Sequence, residues 1–173
     1  EIIRGVESII VPRDKHLLLV SGAEFDGNVE RALSFLASRK ADGFIVSYGV
    51  SQEKTGHISV PIDRPTISIN SHLDPSIPSI QPDNRQGGYV AVCHLARGGA
   101  RRIAVLAGTV DRPAGRQRLE GALHAADELA ADGVSILRER IFHVDFTFED
   151  GYRGMRRLMD QGADFDGLFC AND

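Results

Sequence analysis

The sequence predicts an α/β protein of doubly wound parallel sheets, and three observations carry the prediction. Short apolar runs alternate with amphipathic segments from end to end. Most runs close on Ser, Gly, Asn or Asp, the residues that end a strand and start a loop. With 18 Gly, no Trp and 6% aromatic residues, the composition suits helices on sheets better than a β-sandwich. A chain of 173 residues, 42% hydrophobic, can bury a substantial core as one domain or as two small ones sharing a sheet edge.

The elements follow in order. Ile2, Ile3, Val6, Ile9 and Ile10 recur at helical spacing, so the chain opens on a helix that Pro12 closes. Residues 16–21 (HLLLVS) form a continuous apolar run, the pattern of a strand buried on both faces. Residues 27–40 put Val29, Leu33 and Leu36 on one helical face. Strands are expected over 43–47, 65–69 and, shorter, 77–80. Asp83 and Gln86 have capping-box spacing ahead of a helix that runs to Gly98 and buries Val92, Leu95 and Ala96. Gly87, Gly88 and Ala91 would let that helix approach the sheet closely, and Gly98-Gly99 ends it. Then come a strand (102–107), a long helix (112–131), a strand (141–144), a helix opened by Thr147-Phe148-Glu149-Asp150, and a strand (165–170). Strands and helices in this alternation imply right-handed βαβ crossovers. The Gly98–Arg101 linker divides the chain into residues 1–98 and 99–173, each with its own sheet.

Charge and composition exclude several functions. No apolar run approaches the roughly 18 residues of a membrane span, which predicts a soluble protein. A net charge of −4 gives no field to gather phosphates, so these residues are not expected to grip DNA by themselves. Cys93 and Cys170 form no motif, which fits a reducing, cytoplasmic setting. The six histidines (16, 57, 72, 94, 124 and 143) show no metal-ligand spacing. There is no G-x-S-x-G elbow, P-loop or G-x-G-x-x-G, so no enzyme activity, cofactor or metal is expected. Asp145, Glu149 and Asp150 complement a helix dipole, and Arg97, Arg101 and Arg102 read as a solvated face.

In an open parallel sheet, ligands bind beyond the carboxyl ends of the strands. Those ends are Ser21 and Gly22, Ser47, Asn70 and Ser71, Gly108, Asp145 and Phe146, Asn172 and Asp173. With Arg112, Arg116 and Arg118 nearby, this rim suits a small polyhydroxylated or heterocyclic ligand. Carboxamides and guanidinium forks would bond ring substituents while the aromatic face stacks. Polar residues also close strands and cap helices with no ligand at all, and the residues alone leave both readings open.

The order of motifs resembles the LacI/GalR-type transcriptional repressors. Residues 82–89 (PDNRQGGY), His94-Leu95 and 101–108 (RRIAVLAG) look like their core. Residues 38–45 (SRKADGFI), 116–121 (RQRLEG), 145–152 (DFTFEDGY) and 168–173 (LFCAND) match further family elements in the right order, across essentially the whole chain. The resemblance implies a periplasmic-binding-protein-like fold, two α/β subdomains hinged around a sugar-like or nucleobase-like effector. It implies that Arg118 hydrogen-bonds the effector, that Phe146 stacks on it, and that Asn172 stands at the cleft mouth. Asn70 lies where many sugar-binding relatives have Asp, and Arg112 where purine-binding members carry a second arginine. It further implies a homodimer that binds operator DNA through an N-terminal helix-turn-helix, with no membrane partner. The family pattern has a strand before the opening helix and more elements after Asp173, so a longer protein, incomplete here at both ends, is expected. The alternative is a periplasmic sugar-binding protein of a transport system; a metabolic enzyme would need an acid–base pair or nucleophile that the rim lacks.

Overall fold

The computed structural model describes residues 2–47, 63–70, 74–109 and 111–172. Two three-stranded parallel sheets organise them. In the first, β1 (Phe44–Ser47), β2 (Thr66–Ile69) and β3 (Ser79–Ile80) lie in that order. In the second, β4 (Ile103–Ala107) is central, between β5 (Ile141–His143) and β6 (Gly167–Cys170). Five α-helices accompany them: α1 (Ile2–Ile10), α2 (Val29–Ser38), α3 (Asn84–Arg97), α4 (Pro113–Glu128) and α5 (Phe148–Asp160).

The caps read from the sequence are present. Asp83 accepts the Gln86 N–H at 2.9 Å and starts α3, and Thr147 accepts the Asp150 N–H at 3.2 Å and starts α5. Pro113 stands in the first turn of α4, where its missing donor costs nothing. Pro12 lies in a single 3₁₀ turn that closes α1, and Asp14 follows it in the left-handed region. No residue of α1 is buried among the described residues.

The second sheet holds the stronger core. All of β4 is buried, and Ile103 joins Val92 of α3 and Ala122, Ala125 and Ala126 of α4 in one cluster. A large aliphatic side chain fully buried contributes about 1.5–3 kcal/mol, and Ile103, Val105 and Val92 are all completely enclosed. The first sheet has a smaller cluster, Leu33 of α2 against Phe44 of β1. Helix α3 therefore shares its core with the sheet that follows it.

Two expectations are corrected. Residues 16–21 form no strand: they pair with none of the described strands, and Leu17, Leu18 and Leu19 are 37, 51 and 67% exposed. An apolar run becomes a strand only where a ladder partner satisfies its backbone, and pattern alone does not supply one. The close approach at Gly88 is to α4 rather than to the sheet, and Gly87 has open space around it. A methyl group at Gly88 would stand 1.9 Å from the Arg118 carbonyl oxygen, and one at Gly121 would stand 1.8 Å from that of Arg85. The two helices run side by side in the same direction, Asn84 beside Gln117 and Arg118, and Tyr89 bonded to Glu128 further along.

The basic cluster is also engaged. Arg101 donates from Nη1 to the carbonyls of Ala96 and Ala100, closing the end of α3, and Arg102 pairs with Asp164 and Asp166. These bonds trim the solvated face expected of Arg97, Arg101 and Arg102.

Candidate functional site

The carboxyl ends of β4, β5 and β6 gather three of the residues singled out above. Phe146 follows β5, and its ring lies over Gly108 and Gly115, where any larger residue would displace it. Asn172 follows β6, whose exit is held by the Ala171 N–H donating to the Leu106 carbonyl at 2.9 Å. Phe146 and Asn172 line one cavity of about 320 Å³, with Asp145 and Thr147 at its rim and Leu106, Val144, Tyr152 and Leu168 among its apolar lining. An apolar basin with a few polar groups at its edge is the usual make-up of a small-molecule site.

Arg118 reaches the same strand end from α4. Its Nε donates to Asn84 Oδ1 at 2.9 Å, and its Nη1 donates to the carbonyl of Ala171, the residue before Asn172. Both partners are neutral acceptors, and among the described residues no carboxylate pairs with this half-buried cation.

Arg112 stands at the start of α4, 41% exposed in its side chain. Its Nε lies 3.4 Å from Asp145 Oδ1, and its guanidinium carbon is 5.8 Å from the centre of the Phe146 ring. Asp145 Oδ1 also accepts the Phe146 N–H at 2.8 Å. One carboxylate oxygen thus anchors both the cation and the ring, a local task different from the dipole complement expected of it. His143 Nδ1, at 3.0 Å from the Gly108 carbonyl, ties the end of β5 to that of β4.

Asn70 is separate. It ends β2 in the first sheet with φ 56°, exposed, its N–H donating to the Ile80 carbonyl at 3.0 Å. Among the described residues no hydrogen bond or ion pair joins it to the other four. Ser71, Asp173, His57 and His72, named from the sequence, lie outside the described residues. Burial raises the Cys170 thiol above its ordinary range, which favours the unreactive protonated form.

Sequence reasoning missed Asn84 and Asp145 as partners of the two arginines. The signal for Asn84 was there in the Asp83-Asn84 pair, which was read only for its cap. A second cavity, about 370 Å³, opens at the far ends of α3 and α4 beside Tyr89, Cys93, Arg97 and Asp132, and holds none of the five residues. The hydrogen bond to Glu128 holds the Tyr89 hydroxyl neutral, pushing its pKa up to about 12. Among the described residues no group of three or more His, Cys, Asp or Glu side chains is arranged to hold a metal. No helix there is long and apolar enough to cross a membrane.

Parallel sheets whose carboxyl ends bring together an aromatic ring, a carboxamide and a guanidinium define a class, the α/β ligand-binding proteins. The chain belongs to the family of periplasmic binding proteins and sugar-binding domains of the LacI family, which it matches over residues 13–173. It is 40% identical over 91 residues to the transcriptional regulator CelR of Thermobifida fusca, covering 53% of this chain and 26% of that protein. It is 28% identical to the transcriptional repressor PurR of Haemophilus influenzae (strain PittEE), covering 100% of this chain and 51% of PurR. The solved structure of a CelR–cellobiose complex superposes with a TM-score of 0.75 at 28% identity, covering 98% of this chain and 51% of that one. The chain thus spans about half the length of PurR and of the CelR in the cellobiose complex, while the 91-residue match alone covers about a quarter of the Thermobifida fusca protein.

Proposed function

We propose that this chain is the effector-sensing part of a LacI-type transcriptional repressor. A sugar-like or nucleobase-like ligand binds at the carboxyl ends of the sheets, stacks on Phe146 and takes hydrogen bonds from Arg118, Arg112 and Asn172. Asn70 is the contribution of the first sheet. The observation that carries the reading is the approach of Arg118, through the Ala171 carbonyl, to the strand end that shares a cavity with Phe146.

Each sheet is the heart of one lobe. We draw the division ahead of α3, at residues 81–83, rather than at the Gly98–Arg101 linker, because Val92 shares a core with Ile103 and Ala122. Ligand held between lobes favours one angle between them, and does so only through its different affinity for the two angles. In a homodimer that angle sets the spacing of two helix-turn-helix heads on operator DNA. The protein then acts in the cytoplasm as a receptor, without catalysis.

The complex of CelR with cellobiose makes that disaccharide the first probe. Calorimetry on the full-length protein with cellobiose, other mono- and disaccharides and free purine bases tests the reading. A ligand whose affinity falls at least about tenfold in Arg118→Ala, and which alters operator binding, is the expected result. Unchanged affinity in a folded Arg118→Ala protein overturns the site.

A further inference from the structure

Asn84 is among the few buried polar residues described, 7% exposed at the first position of α3. Its amide has no freedom in how it faces. Arginine carries donors only, so the carbonyl oxygen must point at Arg118 Nε, 2.9 Å away. The amide nitrogen is thereby turned to Gln117 Oε1, at 3.3 Å. With Nη1 on the Ala171 carbonyl, the planar guanidinium is pinned at two corners by two different elements, the start of α3 and the end of β6.

Asn84 is itself held on both sides. Asp83 caps the helix that begins with it, and the backbone contacts at Gly88 and Gly121 seat α3 against the helix bearing Arg118. Only residues 81–83 separate it from Ile80, the last residue of the first sheet.

We propose that Asn84 is the positioning residue of the effector site. It sets the plane of Arg118 toward the ligand, and it couples that arginine to the segment joining the two sheets. This rests on the reading of Arg118 as the residue that bonds the effector. A ligand that draws on Arg118 loads Asn84, and Asn84 begins the helix on which the joining segment ends.

The test uses the full-length protein and needs no ligand for its first arm. The Nε–H signal of Arg118, assigned by its loss in Arg118→Lys, is followed by nitrogen-15 NMR for exchange with water. Exchange is slow in the wild type and in Asn84→Asp, which keeps the acceptor oxygen. In Asn84→Leu, which keeps the branched outline but has no acceptor, and in Asn84→Ser, too short to reach, it rises about tenfold or more. Either of the last two serves if the other fails to fold. Unchanged exchange in a folded variant overturns the proposal, because a purely structural asparagine would shift the melting temperature and leave this signal alone.

The second arm measures cellobiose affinity. A loss of about tenfold in Asn84→Leu or Asn84→Ser, with affinity within about threefold of wild type in Asn84→Asp, is expected. If Arg118→Ala abolishes binding and neither neutral Asn84 variant weakens it, the proposal falls and the site stands. If Arg118→Ala leaves binding intact while exchange at Nε rises in Asn84→Leu, the positioning holds and the reading of Arg118 falls. Where wild type binds no cellobiose, the exchange arm decides alone.

Discussion

The α-carbon of Gly88 lies so close to the carbonyl of Arg118 that a single added methyl would stand 1.9 Å from its oxygen. The reciprocal contact, Gly121 against the Arg85 carbonyl, makes this a two-point backbone crossing of α3 and α4. The helix that carries the effector arginine is therefore seated by two glycines. Gly88→Ala or Gly121→Ala must separate the helices, and overpacking of this kind costs about 1–3 kcal/mol. Urea unfolding should place both variants at or above the top of that range, since the clash is with backbone. A loss below about 0.5 kcal/mol, the scatter of an ordinary surface substitution, would show that the helices do not touch as described.

What the sequence carried and what it did not divide along a physical line. The five apolar residues of β4 and the capping residues Asp83 and Thr147 were legible, because each depends on neighbours within a few positions. The run at 16–21 looked equally clear, yet whether a strand forms depends on a ladder partner elsewhere in the chain. Gly88 was rightly read as a close approach, toward the wrong surface. The bond from Asn84 to Arg118 spans 34 residues and exists only because two helices meet at glycines. Phe146 and Asn172 were found because strand ends can be read from the sequence. Arg118 sits on a helix: the sequence marked it, with Arg112 and Arg116, only as a guanidinium near the rim, and family resemblance alone singled it out as the residue that bonds the effector.

Phe146 rests on glycine too. A methyl at Gly108 would lie 2.4 Å from Phe146 Cζ, so Gly108→Ala pushes the ring out of its seat. The expected results are weaker ligand binding and lower stability. In the Phe146→Ala background the ring is gone, and the same change should cost less, the Gly115 Cα at 3.2 Å remaining as the next neighbour. A double-mutant cycle on unfolding free energy should give a coupling of about 1 kcal/mol. Simple additivity would mean that the ring does not occupy this position.

Gln81, in the segment joining the sheets, has a buried Nε2 with no hydrogen-bond partner among the described residues. A buried donor left unmet costs about 1–3 kcal/mol, whereas an apolar group of the same shape costs nothing of that kind. Gln81→Met should leave thermal stability unchanged or raise it by about 1 kcal/mol, against the destabilisation usual for buried positions. A clear loss of stability by calorimetric scanning would show that the amide finds an acceptor after all.

Asp166 gives the pH dependence. Its Oδ1 accepts the N–H groups of Arg102 at 2.7 Å and Arg101 at 2.8 Å, and the Arg102 guanidinium lies beside its other oxygen. The Arg102 N–H is the largest of the influences that hold its carboxyl below the ordinary value of 3.8. A depressed folded pKa means that the unfolded chain takes up the proton first as pH falls. The stabilisation is complete above the unfolded value near 3.8 and drains away as pH falls through the lower folded one. Asp166→Asn keeps an acceptor oxygen for the two N–H groups but cannot be protonated in this range. Wild type should therefore be the more stable near neutral pH, and its advantage should shrink steadily below about pH 4. Melting temperatures of both proteins from neutral pH into acid test this directly. A constant gap across that window would mean that the carboxylate is not what joins the start of β4 to the start of β6.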